Sequence, residues 1–340
     1  MNERVSLPYQ FVRRARSLLT WAIAASIALL LGAGILIWRL GLFSNPGFIE
    51  YPMLRSTDIP TAIAVAPNGA VWFTIEFSDA IGLFRNGKIE RLPKGSQNLV
   101  PVGLGVAADG SAWFTDVPAR AISNISQSGK LTSFSLSTPI ARLGKLAVAP
   151  DGAVWFAEPT SYSITRLKDG QFTRYQLESA RGDPYGVAVD AQGTVWATLQ
   201  SANKLVRISP DGKMTEIEVP TRGSTPTEIA VDATGVVWFT EFRTSKIGRY
   251  ANGQFTEFQA PGNERSAITG LAIAPDGSVW FGMLRRHSLV RLHNGVLKEF
   301  RLPRRDARPY NLAVDAAGNV WYTDISGWLG MLPADQARVD

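Results

Sequence analysis

Residues 226–258 read PTEIAVDATGVVWFTEFRTSKIGRYANGQFTEF, and versions of this phrase recur along most of the chain. Its first tryptophan has counterparts 41 or 42 residues apart, each with a glycine three residues before it. The seven positions are Trp72, Trp113, Trp155, Trp196, Trp238, Trp280 and Trp321. A unit of about 40 residues that is repeated in this way predicts a solenoid or a propeller.

The composition of one unit favours a propeller. The apolar run AIAVA at residues 62–66 meets a Pro-Asn-Gly turn and then the apolar run AVWFT, which is the pattern of a tight β-hairpin. Two further short runs follow in each unit, for example residues 246–250 and 254–258, joined across Ala-Asn-Gly. Four strands and no helix per unit predict an all-β fold, a seven-bladed β-propeller of four-stranded antiparallel blades.

The two ends of the repeat region predict how the ring closes. The last unit lacks a fourth strand, whereas a spare strand, GFIEYP, stands at residues 47–52. We therefore expect the N-terminal strand at residues 47–53 to complete the seventh blade. Residues 47–340 number 294, which is seven units of 42, so the whole of this region is assigned to the propeller.

A different kind of segment precedes the propeller. Residues 18–38 contain 21 residues without a charge, enough for a helix to span a hydrocarbon core of about 30 Å. Four arginines precede this run and one closely follows it, so the positive-inside rule places residues 1–17 in the cytoplasm. The sequence thus predicts one N-terminal transmembrane helix, a signal anchor at residues 18–41 in the inner (cytoplasmic) membrane. The propeller would lie in the periplasm or at the cell exterior.

A cleaved signal peptide is the alternative for this segment. Its apolar region is usually about 7 to 15 residues long and ends in small residues before the cleavage site. The sequence Trp38-Arg39-Leu40 at the end of the apolar run does not fit that pattern. An uncleaved anchor is therefore the favoured interpretation.

Charge and cysteine content exclude several classes of function. The formal net charge is +6, of which residues 1–46 carry +4, so the propeller carries only +2. Nucleic-acid binding is not expected from so weak a basic balance. The chain has no cysteine, which excludes disulfides, thiol nucleophiles and thiolate metal sites.

The phrase at residues 226–258 resembles the repeat of the streptogramin B lyases, also called virginiamycin B lyases, and the resemblance covers all seven units. It implies a propeller that opens a cyclic depsipeptide antibiotic by elimination at its ester. It also implies a Mg²⁺ ion and a histidine base near the axis, with a Pro-His pair before the innermost strand of late repeats.

The position expected to carry that histidine lies eleven residues before each tryptophan. It is occupied by Thr61, Val102, Gly144, Tyr185, Thr227, Thr269 and Tyr310. The motif RPYNLAV at residues 308–314 fits the Pro-His frame with Tyr310 in place of the base. A tyrosine, with a pKa of about 10, could remove a proton near neutral pH only if a cation such as Arg308 favoured its ionisation. Otherwise it packs or forms hydrogen bonds at the channel mouth. The two histidines, His287 and His293, fall in turns at opposite ends of a blade.

A second set of positions, three residues after each tryptophan, carries a carboxylate in four blades. These candidate metal ligands are Asp116, Glu158, Glu241 and Asp324. Hairpin geometry predicts that they lie at the same end of the blade as the first set, where arginine-bearing loops also emerge. Oxygen ligands suit Mg²⁺ or Ca²⁺, and Mg²⁺ is possible by the family resemblance, but salt bridges between blades would explain the same residues. The candidate ligand-binding residues are Asp116, Glu158, Tyr185, Thr227, Glu241, Thr269, Arg308, Tyr310 and Asp324.

Two functions remain open from the sequence. The favoured one is an extracytoplasmic binding module for a small-molecule or protein ligand, because the histidine base is missing. The alternative is a metal-dependent carbon-oxygen lyase or related enzyme with a remodelled site, for which Tyr310 and Arg308 are the catalytic candidates. The chain has no nucleophile elbow, Walker loop or zinc-protease motif.

Overall fold

The computed structural model describes residues 47–98, 102–137, 142–262 and 266–337. The predicted anchor at residues 18–41 and the basic segment at residues 1–17 lie outside these ranges. Within them, no helix has both the length and the apolar character that a membrane crossing needs.

The described residues form seven sheets of four antiparallel strands, so the predicted propeller is confirmed. The first strand, β1, is Ile49–Pro52. Blade one contains β2 Ile59–Val65, β3 Val71–Glu76, β4 Ser78–Arg85 and β5 Lys88–Asn98. Blade two contains β6 Leu104–Val106, β7 Ala112–Asp116, β8 Ala121–Ile125 and β9 Leu131–Ser135. Blade three contains β10 Leu146–Val148, β11 Val154–Glu158, β12 Ser163–Lys168 and β13 Gln171–Gln176.

The remaining blades repeat this order. Blade four contains β14 Pro184–Val189, β15 Val195–Leu199, β16 Lys204–Ile208 and β17 Met214–Glu218. Blade five contains β18 Pro226–Val231, β19 Val237–Glu241, β20 Lys246–Ala251 and β21 Gln254–Gln259. Blade six contains β22 Ile268–Ile273, β23 Val279–Met283, β24 Ser288–His293 and β25 Val296–Arg301. Blade seven contains β26 Pro309–Val314, β27 Val320–Asp324 and β28 Trp328–Leu332. A single 3-10 turn, Pro159–Ser161, and a short helix α1, Ala334–Ala337, are the helical elements of the described part.

The N-terminal strand completes blade seven, as the sequence predicts. Strand β1 pairs antiparallel with β28, and Tyr51 lies opposite Leu329. The ring of Tyr51 stacks on Trp321 of blade seven, with 6.4 Å between ring centroids, and packs against Phe84 of blade one, with 4.5 Å between centroids. The closing strand therefore joins the first and last blades through both backbone pairing and aromatic packing.

The hydrophobic core is divided into seven clusters, each between two neighbouring blades. Trp72 shows why the tryptophan recurs: its ring is fully buried with Leu104 and Phe114 of the next blade, and its indole N–H donates to Gly110 O at 3.0 Å. Truncation of such a residue would cost about 3–5 kcal/mol. One tryptophan per unit thus joins each blade to a neighbour.

The innermost strands approach one another closely near the axis. A β-bulge interrupts the pairing of several of them, for example between Pro184 and Val187 and between Pro226 and Ile229. Gly186 lies in one bulge, where a Cβ atom would be only 2.3 Å from the carbonyl oxygen of Thr227 in the next blade. Bulges redirect side chains, so this local irregularity determines which residues reach the axis.

Candidate functional site

A central cavity of about 130 Å³ is lined by residues of all seven innermost strands. Its apolar floor has one side chain from each blade, and each is at most 9% exposed. We call these residues the apolar ring: Ile63, Leu104, Leu146, Val187, Ile229, Leu271 and Leu312. We call the end of the channel where the innermost strands begin the channel mouth.

The predicted positions eleven residues before each tryptophan do lie at the start of the innermost strands. Tyr185, Thr227 and Tyr310 are half-buried there. The hydroxyl of Thr269 donates to the carbonyl oxygen of Pro309 in the next blade at 2.8 Å, and the hydroxyl of Thr227 donates to the carbonyl oxygen of Thr225 at 2.9 Å. The amide of Gln200 contacts the hydroxyl of Thr227 at 3.5 Å. Tyrosines and polar groups thus surround the opening.

An ion pair spans the mouth between blades that are not neighbours. The ammonium of Lys145 in blade three lies 3.2 Å from a carboxylate oxygen of Glu228 in blade five. Their side chains are only 13% and 17% exposed, and both residues line the central cavity. Gly186 occupies the corresponding position in the intervening blade and adds no side chain.

The electrostatics of the two mouth tyrosines oppose ionisation. Burial raises the pKa of Tyr310, and the carboxylates of Glu228 and Glu76 raise it further. Burial is also the main reason why the pKa of Tyr185 lies well above its usual value; Glu228 and Tyr310 add to it, and Arg142 acts against it. Both hydroxyls therefore stay protonated at neutral pH. The charges that act on Tyr310 are carboxylates rather than the guanidinium of Arg308.

The four carboxylates of the second set do not converge. Glu158 and Glu241 are fully buried within their own blades, and Asp116 is 2% exposed. One oxygen of Glu158 accepts from Ser161 at 2.8 Å and from Arg174 at 2.9 Å. All four residues lie at the mouth end of their blades, as hairpin geometry predicts. Their side chains, however, are buried inside the blades and do not face the channel.

Asp324 and Arg308 meet through the backbone. The amide N–H of Arg308 donates to Asp324 Oδ1 at 2.9 Å, and Ser326 donates to the same oxygen. The other oxygen of Asp324 binds the guanidinium of Arg304, which also contacts Glu50 at 3.0 Å. Through these contacts Asp324 stabilises the loop that precedes β26.

Glu241 has the most unusual surroundings. It accepts a hydrogen bond from Thr244 at 2.8 Å, while its second oxygen has no partner among the described residues. Burial, and then the neighbouring carboxylate of Glu257, raise its pKa to about 7. Glu257 itself is paired with Lys246 at 2.8 Å.

A third set of charged residues lies on the outermost strands, and each forms an ion pair. The pairs are Asp58 with Arg91, Glu158 with Arg174, Glu216 with Lys204, Glu257 with Lys246, Glu299 with Arg286 and Glu50 with Arg304. Such pairs fix loops and blade edges, so much of the charge at this end of the propeller is structural.

The residues present do not fit a shared magnesium site. No three histidine or acidic side chains of the described residues are grouped so that they could hold one metal ion. Within the described ranges, Glu228 is the only carboxylate that lines the central cavity, and it is neutralised by Lys145.

The histidines lie away from the mouth tyrosines. His287 is in the turn before β24, and its Nδ1 atom is 2.5 Å from the carbonyl oxygen of Ala307. His293 ends β24 at the other end of the blade. Neither is brought into the central cavity.

Lys145 and Glu228 stand at a position that the sequence predictions leave out, ten residues before each tryptophan. A signal is nevertheless present there. The seven residues are Ala62, Gly103, Lys145, Gly186, Glu228, Gly270 and Asn311, so small residues surround two opposite charges. Two charges in an otherwise small and crowded ring are a reason to expect an ion pair across the axis.

Comparison with solved structures identifies similar propellers. A catalytically inactive histidine-to-alanine variant of virginiamycin B lyase from Staphylococcus aureus, with quinupristin, is 25% identical with a TM-score of 0.79, over 84% of this chain and 98% of that chain. A streptogramin B lyase structure is 24% identical with a TM-score of 0.79, over 84% and 96%. YCF48 from Cyanidioschyzon merolae is 15% identical with a TM-score of 0.67, over 85% and 99%, which shows a shared fold alone.

Sequence comparison gives the family. No curated protein sequence matches the chain. The profile of the virginiamycin B lyase family matches residues 39–169 and 143–336, which together include all seven tryptophans of the repeat. The chain therefore belongs to the virginiamycin B lyase family.

Proposed function

We propose that the protein is a membrane-anchored, extracytoplasmic propeller that binds a small-molecule or protein ligand at the channel mouth. The observation that carries this proposal is the pair of tyrosines, Tyr185 and Tyr310, at positions where the family resemblance leads us to expect histidine. Their raised pKa values make them hydrogen-bond donors at neutral pH instead of proton acceptors.

The chemistry of the mouth suits binding. Neutral tyrosine hydroxyls, the Lys145–Glu228 pair and the hydroxyl of Thr227 offer both donors and acceptors above an apolar floor. A concave apolar surface with a few fixed polar groups is the usual form of a ligand site. The candidate residues Asp116, Glu158, Glu241 and Asp324 would then act as supports of the mouth and would not contact the ligand.

The proposed location rests on the sequence. The uncharged run at residues 18–38, with arginines mainly before it, would hold the chain in the inner membrane with the propeller outside the cytoplasm.

A metal-dependent carbon-oxygen lyase is the second candidate. Family membership and the 25% identity to a virginiamycin B lyase that was solved with quinupristin favour it. In that case Tyr310 would have to act as the base, although its neighbouring carboxylates oppose ionisation.

Incubation of the full-length protein in detergent with quinupristin and Mg²⁺ tests the two candidates. Elimination opens a ring without changing its mass, so reversed-phase chromatography is the suitable readout. We expect quinupristin to remain intact. Ring opening that requires Mg²⁺ and is abolished by Tyr310→Phe would establish the lyase instead.

A further inference from the structure

Four large apolar side chains, which we call the rim, are exposed at the end of the propeller where the channel mouth opens. Leu54 is 58% exposed in the connection between β1 and β2, and Phe77 is 60% exposed directly after β3. Tyr162 and Phe242, 37% and 45% exposed, occupy the matching ends of blades three and five. These elements end beside the starts of the innermost strands, because Glu76 pairs with Ile59 and the amide of Phe242 donates to Thr225 O at 3.1 Å.

Two of these residues share a backbone conformation that recurs in the propeller. Phe77 and Tyr162 have positive φ angles of 55° and 52°. The residue that precedes the third strand has a positive φ in the other five blades as well: Arg120, Asn203, Ser245, His287 and Gly327. The conformation therefore belongs to the turn of every blade, and what distinguishes Phe77 and Tyr162 is an exposed aromatic ring at that turn.

A carboxylate without a counter-charge lies next to Phe77. Glu76 ends β3 and is half-buried, and within the described part of the chain its side chain has neither an ion pair nor a hydrogen bond. Glu76 lies opposite Ile59 at the start of β2, and its charge acts on Tyr310 of the neighbouring blade. Burial alone raises the pKa of Glu76, as expected for a carboxylate that has lost water without gaining a partner.

The other two charged side chains that act on Tyr185 and Tyr310, Glu228 and Arg142, are already paired. Lys145 is 3.2 Å from Glu228, and Arg142 is 3.0 Å from Asp183. Of the charged side chains that act on these tyrosines, Glu76 is thus the one without an ion pair among the described residues. A bound positive group would supply its missing partner, and the ring of Tyr310 could favour a cation further.

We propose that the channel mouth binds an amphiphilic cation, an amine or quaternary ammonium that carries an apolar or aromatic group. The cationic group lies beside Glu76 and Tyr310. The apolar part contacts the aromatic rim at Phe77 and faces the apolar ring below. This inference rests on the proposed binding function and names the class of ligand for the same site.

The test uses three probes of similar size with different charge: 2-phenylethylamine, 2-phenylethanol and phenylacetate. Each is titrated at pH 8 against the full-length protein in a non-ionic detergent, with saturation-transfer NMR as the readout. We expect the amine to bind at least fivefold more tightly than the alcohol, and phenylacetate to bind least. Partition into detergent is the same for every protein variant, so it does not affect comparisons between them.

Three variants separate the contributions. Glu76→Gln should weaken amine binding at least fivefold and leave the alcohol unchanged. Glu90→Gln removes the same charge from the same blade, at a residue paired with Arg85, and should change neither. Phe77→Ala should weaken the amine and the alcohol alike, because it removes apolar contact only.

The outcomes distinguish this inference from the proposed function. Equal binding of amine and alcohol, both weakened by Phe77→Ala, contradicts a cationic ligand but keeps the channel mouth as a binding site. Tighter binding of phenylacetate also contradicts the cation. If none of the three probes binds saturably, both proposals lose their support. Binding to neutral phosphatidylcholine vesicles that Phe77→Ala abolishes, without amine binding, would make the rim a membrane contact instead.

Discussion

The hydroxyl of Tyr322 in β27 donates a 2.8 Å hydrogen bond to Glu50 of β1, which lies 272 residues earlier in the chain. The same carboxylate binds Arg304 at 3.0 Å. Blade seven thus gains a buried polar link to the closing strand, in addition to the backbone pairing with β28.

The first prediction concerns this link. Tyr322→Phe should lower the free energy of unfolding by about 1.5–3 kcal/mol, because it removes a buried hydrogen bond to a charged group. Urea unfolding followed by tryptophan fluorescence measures the change. Tyr162→Phe, at an exposed tyrosine, serves as the control and should change stability by less than about 0.5 kcal/mol. Equal stability of wild type and Tyr322→Phe would show that the bond contributes nothing to closure.

The ion pair across the mouth should show coupling. Lys145→Met leaves the largely buried Glu228 without its counter-charge and should destabilise the protein by about 1–3 kcal/mol. Adding Glu228→Gln should recover part of that loss, because the unpaired charge is then absent. A double-mutant cycle in urea measures the coupling. Simple additivity of the two single changes would contradict the pairing seen in the structure.

Stability should depend on pH through Glu241. Its pKa is raised to about 7 in the folded protein, against an ordinary value of 4.5. Between these values the folded state binds more protons than the unfolded state, so stability from this group falls as pH rises from about 4.5 to about 7. The full effect is at most about 3.5 kcal/mol, since one pKa unit corresponds to about 1.4 kcal/mol.

Glu241→Gln should flatten that part of the stability profile, as measured by the urea midpoint at several pH values. Asp169→Asn, on an exposed turn, should retain the wild-type slope. An unchanged slope in Glu241→Gln would mean that another group is responsible.

The anchor is testable by topology. Alkaline phosphatase fused after Asp340 is active only outside the cytoplasm, and the arginine-flanked apolar run predicts that it will be active. A fusion of β-galactosidase at the same point should be inactive. The reverse pattern, with both fusions stably expressed, would place the propeller in the cytoplasm.

A single substitution should not restore lyase activity. Tyr310→His introduces an imidazole into the Pro-His frame. Among the described residues, however, Glu228 is the only carboxylate that lines the cavity, it stays paired with Lys145, and no three acidic or histidine side chains are grouped to hold a metal ion. We expect quinupristin to stay intact in the presence of Mg²⁺. Efficient ring opening by this variant would show that the remainder of the machinery is present.

The fold could be predicted because every repeat contains the same local information. The tryptophan spacing sets the length of the unit, and the spare strand at residues 47–53 has one vacant place to occupy. Because the pattern occurs seven times, an irregular residue in one unit does not obscure it. The mouth position of Tyr185 and Tyr310 was predictable for the same reason.

The orientation of the charged residues was harder to predict. A bulge in the innermost strand changes which side chains face the axis, and nothing in the alternation of apolar residues marks it. The sequence places Glu158 and Glu241 at the correct end of the blade, but whether they face the channel or the blade interior depends on partners such as Arg174 and Glu257. Lys145 and Glu228 can meet across blade four because the corresponding residue of that blade, Gly186, has no side chain.

The closing strand has a consequence for how the protein is made. During synthesis β1 emerges before any other strand of the ring, whereas its partner β28 emerges last. Until then, β1 lacks its partner, blade one lacks the closing contact at Tyr51, and an unpaired strand edge is open to wrong partners. Non-local pairing of this kind also slows folding. We therefore expect the nascent chain to depend on chaperones until β28 has been synthesised. A truncation that removes only β28 should be more harmful than its length suggests.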